Sequence, residues 1–267
     1  IESKGTVFIK PKVAKCFRDT LSTRIYLWKV QMKTNKNESS ELENRTEVPP
    51  KFVVGIGASA GGLEALEELF EHMPLETEMS FVIIQHLSPD HKSMMDELLA
   101  RKTRIPVTLA ENETEIKANH IYLLPPKREM IISNNNLLLK DREEPKALSY
   151  PINNFFYSLA DSCQQDAIAV VLSGTGSDGT KGISAVHDVG GFVIAQEPIT
   201  CKFDSMPTNA INTKKVDVQL KPSGIPDALV RYSKRTERVK QHIELRELDN
   251  DENRFTEIIL VLKNRFG

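Results

Sequence analysis

Residues 51–63 read K-F-V-V-G-I-G-A-S-A-G-G-L, and the rest of the chain is organised around them. Apolar residues from Phe52 to Ile56 lead into a run of small residues, and large apolar residues then recur at helical spacing (Leu63, Leu66, Leu69 and Phe70). This pattern predicts a buried strand, a tight loop and the start of a helix. The glycines of the loop permit backbone conformations that larger residues avoid. Ser59 is therefore expected where the strand ends and the helix begins.

The predicted position of Ser59 suits chemistry for an electrostatic reason. The first amides of a helix lack partners within the helix and carry partial positive charge, so an oxyanion that forms beside them is stabilised. Serines at this position also cap helices, by accepting a hydrogen bond from a helix amide. The stretch by itself leaves both roles open.

Two phosphate-binding motifs are disfavoured at this loop. G-x-G-x-x-A at residues 55–60 fits the loose dinucleotide-binding motif, which needs an acidic residue at the end of the next strand, about 20 residues further on. The next predicted strand, Phe81 to Ile84, is followed by Gln85 and His86, so a nicotinamide cofactor is disfavoured. A P-loop needs Lys and then Ser or Thr after its last glycine, but Leu63 follows here.

A third motif fits the loop. Gly57-x-Ser59-x-Gly61 matches the nucleophile elbow, in which a serine at a sharp turn from strand to helix attacks a carbonyl carbon. Such a serine needs a base and an orienting acid from elsewhere in the chain.

Composition narrows the class of protein. The chain has 267 residues, 40% of them hydrophobic and 27% charged, which is enough for one sizeable core. The formal net charge is -2 and basic residues are interspersed with acids, which argues against nucleic-acid binding. Cys16, Cys163 and Cys201 are widely scattered, which is typical of a reducing compartment and argues against disulfides or zinc. With no apolar run of membrane-spanning length and no signal pattern, we expect a cytoplasmic protein.

From Phe52 onward, strand-like apolar runs alternate with segments of helical period. This alternation predicts an α/β fold in three layers, with a mainly parallel sheet flanked by helices. Asn134 to Asn136 form a turn signal between two apolar runs, which predicts a hairpin over Met130 to Lys140 at one sheet edge. Helices are predicted over Thr180 to Val189 and Ile225 to Tyr232. Strands are predicted at Phe52 to Ile56, Phe81 to Gln85, Val107 to Ala110, His120 to Leu124, Ala167 to Leu172, Phe192 to Ala195 and Asp217 to Leu220.

Four segments are predicted along the chain. Residues 1–50 include a polar stretch without periodicity, and we predict a disordered leader or sequence foreign to the domain. The folded domain covers residues 51–233, and the charge-dense residues 234–253 form a linker or solvated helix. Residues 254–267 have an amphipathic pattern, which indicates the start of a truncated second domain.

Three polar residues follow predicted strands of the sheet. Ser59 follows the first strand, His86 the second, and Asp178 lies in the loop after Ala167 to Leu172. Because reactive residues gather at the carboxyl ends of parallel strands, these three could form a nucleophile, a base and an acid. Taken singly, His86 could be a hydrogen-bonded histidine at the edge of the core, and Asp178 could cap the helix that follows it. Glycines 174, 176 and 179 also free the amides of residues 175 and 176 to face the same pocket.

A family resemblance follows from segments that occur in family order. They read G-I-G-A-S-A-G-G-L-E-A-L (55–66), F-V-I-I-Q-H-L-S-P-D-H (81–91), A-I-A-V-V-L-S-G-T-G-S-D-G-T-K-G (167–182), and A-Q-E-P with F-D-S-M-P-T-N-A-I (195–211). Together they resemble the catalytic domain of chemotaxis receptor methylesterases, the CheB type, over about Phe52 to Tyr232. The resemblance implies the α/β fold of that domain.

The resemblance also implies roles for individual residues. Ser59 matches the family's nucleophile, His86 its general base and Asp178 the acid that orients the histidine. Thr175 stands where the family usually has Met, and its backbone amide belongs to the oxyanion hole together with that of Ala60. Many members carry Thr at the position of Ala60, so that hydroxyl is absent here. The segment Ser149 to Asn154 departs from the family's usual R-P-S-V-D run, which affects the substrate cleft.

The activity implied is hydrolysis of glutamate γ-methyl esters on the cytoplasmic helices of chemoreceptors, with glutamine deamidation as a second activity. No cofactor is implied, and His86 and His91 are five residues apart, which does not suit metal binding on one helical face. The family's enzymes normally carry a preceding receiver domain, for which 50 polar residues are too few. Residues 252–267 resemble the opening helix of the companion methyltransferase, as in fusions of the two enzymes.

Two other functions compete with this one. An α/β-hydrolase shares the elbow, but there the acid precedes the histidine in the chain, whereas His86 precedes Asp178 here. The other is a domain that binds receptors or a signalling partner without turnover, and labelling by a serine-directed fluorophosphonate would distinguish it from an esterase.

Overall fold

The computed structural model describes residues 49–85, 95–142 and 150–236. Ten strands lie in these residues: β1 Phe52–Ala58, β2 Met79–Gln85, β3 Val107–Leu109, β4 Thr114–Glu115, β5 His120–Leu123, β6 Arg128–Ser133, β7 Asn136–Asp141, β8 Ala167–Val171, β9 Phe192–Gln196 and β10 Val218–Leu220. The α-helices are α1 Gly62–Glu71, α2 Met95–Ala100, α3 Pro151–Cys163, α4 Thr180–Asp188, α5 Ser205–Asn212 and α6 at residues 225–236.

Seven strands form one parallel sheet in the order β10-β9-β8-β1-β2-β5-β3. Strand β1 is central and pairs with β2 on one side and β8 on the other. Its last residue, Ala58, is opposite Gln85 at the end of β2, and Gly57 is opposite Val171 at the end of β8. The carboxyl ends of three neighbouring strands therefore lie side by side.

The sheet has a hydrophobic core on each face. Phe52, Val54 and Ile56 of β1 pack with α1, α2 and α6 on one face. On the other face, Val53 shares a core with α3, α4 and α5, and the second sheet packs against this core too. Because successive strand residues point to opposite faces, the near-continuous apolar run of β1 supplies both cores. The three-layer, mainly parallel fold predicted from the sequence is confirmed.

Helix α3 lies unusually close to β1 because two strand residues have no side chain. A Cβ added to Gly55 would lie 2.9 Å from the side chains of Leu159 and Phe155, and one added to Gly57 would lie 2.5 Å from Ile152 Cγ2. These distances are shorter than any ordinary carbon contact, so α3 rests directly on the strand backbone. The N-terminus of α3 is thereby held beside the end of β1.

We expect Gly57→Ala to destabilise the fold by about 1–3 kcal/mol, because the new methyl group overpacks the contact with Ile152. Urea unfolding monitored by circular dichroism measures the change. Gly224→Ala is the matched control, since a Cβ there would meet nothing closer than 3.8 Å, and it is expected to change stability by less than about 1 kcal/mol. Equal stability losses in the two variants would contradict the close packing described here.

The predicted hairpin is confirmed as β6 and β7, joined by Asn134 and Asn135. Both asparagines have positive φ (49° and 63°), which a two-residue turn of this kind requires. The hairpin pairs with the two-residue strand β4 in a separate antiparallel sheet, in the order β4-β7-β6. Strand β4 was not predicted, because two residues leave no periodic pattern to detect.

The other predicted elements of the domain agree with the structure within a few residues, including the helix at the C-terminal side, which extends to residue 236. The predictions for the leader, the charged stretch beyond residue 236 and the amphipathic residues 254–267 fall outside the described residues. No helix in the described ranges is both long and apolar enough to cross a membrane.

Candidate active site

Ser59 is the first residue after β1, and its backbone is held on both sides. Its N–H donates to the carbonyl of Ser173 (3.1 Å), and its own carbonyl accepts from the N–H of Gly62 (2.9 Å). Helix α1 begins at Gly62, and the residue that caps it is Gly61, with φ 71° and no side-chain capping bond. The alternative that Ser59 caps this helix is therefore not supported, and its half-buried side chain makes no hydrogen bond among the described residues.

The loop after β8 lies against the Ser59 turn. A Cβ added to Gly174 would lie 2.9 Å from Ser59 Cβ and 2.6 Å from Met206 Cε, so only glycine fits between them. Asp178 is four residues further along this loop and is 5% exposed. The structure thus brings Ser59 and the Asp178 loop to neighbouring strand ends. His86 follows Gln85, the last residue of β2, and lies outside the described residues.

Three backbone amides bind the Asp178 carboxylate. Oδ2 accepts from Ile152 N–H (3.0 Å), and Oδ1 accepts from Asn153 N–H (3.0 Å) and Gly179 N–H (2.8 Å). Ile152 and Asn153 belong to the first turn of α3, where amides lack helical partners and carry partial positive charge. Asp178 therefore binds the N-terminus of α3 as well as the start of the helix that follows it in the sequence.

Asn153 is a site residue that sequence reasoning missed. It is 6% exposed, and its Oδ1 accepts from Gly182 N–H (2.8 Å) in α4 while its own N–H reaches Asp178. Asn153 therefore links the first turns of α3 and α4 through its side chain, and its N–H binds the Asp178 carboxylate. A sequence signal for this position existed: prolines often occupy the first turn of a helix, as Pro151 does in α3. The amide of Asn153 is therefore among those that have no hydrogen-bond partner within the helix.

Two backbone amides near Ser59 have fixed directions and no partner among the described residues. The N–H of Ala60 points opposite to the carbonyl of Ser59, since the two share one planar peptide, and that carbonyl is held by Gly62. The N–H of Thr175 is fixed in the same way, because the carbonyl of Gly174 accepts from Met206 N–H (3.0 Å). Oriented donors of this kind suit an oxyanion hole.

The amide of Gly176 does not join them. It donates to Ser205 Oγ (3.1 Å), while the carbonyl of Gly176 accepts from Asn209 Nδ2 (2.8 Å). The expectation that Gly176 offers a free amide to the pocket is therefore wrong. The reason is that the start of α5 packs on this loop, a contact between residues about 30 positions apart.

The described histidines lie away from this site. His72 follows α1, which starts beside Ser59 and leads away from the carboxyl ends of the strands. His187 lies in the last turn of α4. His120 is the first residue of β5, at the amino end of that strand, and burial lowers its pKa. None of these three imidazoles is at the carboxyl edge of the sheet, where Ser59 lies.

The two described cysteines are not activated thiols. Burial, with a smaller effect of Asp166, raises the pKa of Cys163 to about 12, and burial with Asp204 raises that of Cys201 to about 11. A thiol with a raised pKa is a poor nucleophile at neutral pH because little thiolate forms. Among the residues that the structure describes, no group of three or more His, Cys, Asp or Glu is placed to hold a metal ion.

The structure of this chain is similar to a solved structure of an enzyme's catalytic domain. The chain aligns with the CheB methylesterase catalytic domain of Thermotoga maritima at 28% identity and a TM-score of 0.62, over 68% of this chain and 98% of that one. The fold of the described domain is thus the fold of that enzyme domain.

Similar sequences point the same way. A protein-glutamate methylesterase/protein-glutamine glutaminase of Photorhabdus laumondii is 31% identical over 183 residues, which cover 67% of this chain and 52% of the relative. A 104.1 kDa protein of Rhodobacter capsulatus is 43% identical over 147 residues, 55% of this chain but 15% of that protein. The chain therefore spans only part of these curated relatives. The family model for CheB methylesterase matches residues 54–229, and the chain belongs to the CheB methylesterase family.

Proposed function

We propose that this chain hydrolyses glutamate γ-methyl esters of chemoreceptors and releases methanol, with glutamine deamidation as a second reaction of the same site. The observation that carries the proposal is the position of Ser59: it directly follows the central strand of the sheet, beside two oriented amides without partners among the described residues. Family membership supports the same chemistry, since relatives carry the name protein-glutamate methylesterase/protein-glutamine glutaminase.

In the proposed mechanism, Ser59 Oγ attacks the ester carbonyl carbon while His86 takes its proton as general base. His86 is the proposed base because it follows Gln85 in the sequence. Gln85 pairs with Ala58, the residue before Ser59, across the two neighbouring strands. Asp178 orients the imidazole and stabilises its protonated form. The N–H groups of Ile152 and Asn153 in α3 bind the Asp178 carboxylate, and they hold its side chain in one rotamer for this role.

The developing oxyanion is proposed to bind the amides of Ala60 and Thr175. Each donor of this kind contributes on the order of 3 kcal/mol to the stabilisation of the transition state. The tetrahedral intermediate then expels methoxide, which leaves as methanol with the proton from His86. Water, deprotonated by the same histidine, attacks the acyl-enzyme and returns free Ser59 and a glutamate carboxylate.

The rate of hydrolysis is expected to fall on acidification. Only a neutral imidazole can accept the Ser59 proton, and an ordinary histidine becomes protonated as the pH falls below roughly 6 to 7. We therefore expect kcat/KM to be constant above this range and to drop about tenfold per pH unit below it. Methanol release between pH 4.5 and 8.5 measures the profile, and thermal unfolding at each pH separates loss of fold from loss of rate. A flat profile with intact fold would argue against a histidine base.

A receptor helix is the proposed binding partner. Tyr150, Ile199 and Phe203 are large apolar residues on loops at the same edge of the sheet as Ser59, and they are 41%, 88% and 41% exposed. An amphipathic helix that presents an esterified glutamate could cover these side chains with its apolar positions. Their exposure supports a macromolecular substrate more than a small ester.

We further propose that this domain acts within a larger protein, with residues 234–253 as a linker and residues 254–267 as the start of a methyltransferase-like domain. The 104.1 kDa relative supports such an arrangement, since the part that resembles this chain is 15% of that protein. Residues 1–50 are proposed to be a leader outside the catalytic domain.

Methanol release from a methylated chemoreceptor tests the proposed function. The chain, incubated with receptor that carries a labelled methyl group, is expected to release volatile label in proportion to enzyme and time. Binding of the receptor without release of label would instead support a non-catalytic docking domain. A receptor with the esterified glutamates replaced by alanine is the substrate control.

A further inference from the structure

A fully buried serine, Ser173, lies beneath the Ser59 turn and joins three loops. Its N–H donates to Gln196 Oε1 (2.8 Å), and its carbonyl accepts from Ser59 N–H (3.1 Å). Its hydroxyl proton faces the carbonyl oxygens of Ala60 (3.0 Å) and Phe203 (3.2 Å), and its Oγ accepts from Phe203 N–H (3.0 Å). Every polar group of this residue is therefore used.

These bonds hold the two peptides that precede and follow the peptide between Ser59 and Ala60. The carbonyl of Ser173 fixes the peptide that enters Ser59, and the hydroxyl of Ser173 fixes the peptide that leaves Ala60. The peptide between them carries the Ala60 amide, and within the described part of the chain only the bond from Gly62 to the Ser59 carbonyl holds it directly. Ser173 thus constrains both neighbours of the proposed oxyanion donor.

The fit around the Ser173 hydroxyl is close. Gly61 has φ 71°, and a Cβ there would lie 2.8 Å from Ser173 Oγ and 2.7 Å from Lys202 Cβ. The turn therefore packs directly against the Ser173 hydroxyl and the Lys202 side chain. A shift of Ser173 would be transmitted to residues 59–61 without intermediate contacts that could absorb it.

Gln196 holds Ser173 in place from the other side. Gln196 is 2% exposed, and its Nε2 donates to the carbonyl of Thr200 (3.1 Å) while its Oε1 accepts from Ser173. The hydrogen bonds from Thr200 through Gln196 and Ser173 to Ala60 connect the end of β9 to the Ser59 turn. A fully satisfied buried network of this kind fixes a unique geometry.

We propose that Ser173 is a positioning residue for the hydrolysis. It touches no substrate, and it acts by holding the Ala60 amide and the Ser59 hydroxyl at the separation that the tetrahedral intermediate requires. This inference rests on the proposed function. Because small displacements of reacting groups lower rates strongly, we expect Ser173→Ala to reduce kcat about 10- to 100-fold, with KM for methylated receptor about unchanged.

The matched control is Ser158→Ala. Ser158 Oγ also accepts a backbone N–H, from Ile132 (3.0 Å), and donates to a carbonyl, that of Phe155 (2.8 Å), but it lies between α3 and β6. Both variants lose a serine hydroxyl that joins two segments. Only the Ser173 variant is expected to lose kcat, whereas a merely structural role would lower stability in both and leave kcat per folded molecule unchanged.

The test measures kcat and KM for methanol release, and the folded fraction by circular dichroism, for wild type, Ser173→Ala, Ser173→Cys and Ser158→Ala. Ser173→Cys keeps a side chain of the same branching that is somewhat larger and only a weak donor, so it tests the same bond if the alanine variant does not fold. A drop in kcat in the folded Ser173 variants, at unchanged KM, is the expected result. An active wild type with kcat equal in the Ser173 and Ser158 variants would overturn this inference alone, whereas an inactive wild type would overturn the proposed function with it.

Discussion

Ser59→Ala is expected to lower methanol release from methylated receptor by at least about 10³-fold, because the variant has no oxygen to form the acyl-enzyme. The fold is expected to be unchanged, since the Ser59 hydroxyl makes no hydrogen bond among the described residues and the turn is held through its backbone. Release of labelled methanol at saturating receptor, with equal folded protein, measures the effect. Activity above a few per cent of wild type would remove Ser59 from the mechanism.

Ser184→Ala is the control for this change. Ser184 lies on α4, is half-buried, and donates only a long bond to the carbonyl of Thr180 (3.4 Å). The substitution removes the same atom from a place outside the site, so activity close to wild type is expected. A comparable loss in both variants would indicate general damage to the domain.

Asp178→Asn is expected to have the second largest effect, and it affects both stability and rate. The carboxylate accepts from three amides, and an asparagine would turn its NH₂ group toward one of them, Ile152 N–H or the pair at Asn153 and Gly179. Two donors would then face each other in a buried site, which costs about 1–3 kcal/mol. The rate is expected to fall about 10³- to 10⁴-fold as well, since the amide no longer holds the imidazole in the required tautomer.

Urea unfolding and methanol release measure these two effects separately. Asp188→Asn is the control: this carboxylate is exposed at the end of α4 and pairs with Lys215 (2.7 Å), which lowers its pKa. Wild-type activity is expected for Asp188→Asn. If Asp178→Asn retained both the stability and the rate of wild type, neither the helix capping nor the orienting role would stand.

The main sheet could be predicted from the sequence because its signals are local. Strand β1 is a continuous apolar run that ends in small residues, and the helical period begins within a few positions of Ser59. Parallel strands also bring their carboxyl ends together, so the placement of Ser59 and the Asp178 loop at one edge followed from the fold class. The asparagine turn of the hairpin was equally local.

The features of the site that the sequence did not predict depend on contacts between residues that are far apart in the chain. Asn153 reaches Asp178 across 25 positions, and Ser173 reaches Ala60 across 113. Ser173 stands directly after the apolar run Ala167 to Leu172, where a serine looks like the first residue of a solvent-exposed loop, yet it is fully buried. The partner of the Gly176 amide, Ser205, lies 29 positions away on a helix whose packing no short motif encodes.

The central claim is that Ser59 is the nucleophile of an esterase, and covalent labelling tests it most directly. The chain is treated with a serine-directed fluorophosphonate at pH 7.5, digested, and mapped by mass spectrometry, with Asp178→Asn treated in parallel. One adduct on the peptide that contains Ser59 is predicted for wild type, with much slower labelling of the variant. An unmodified Ser59 in folded wild type, or equal labelling of several serines, would contradict the account.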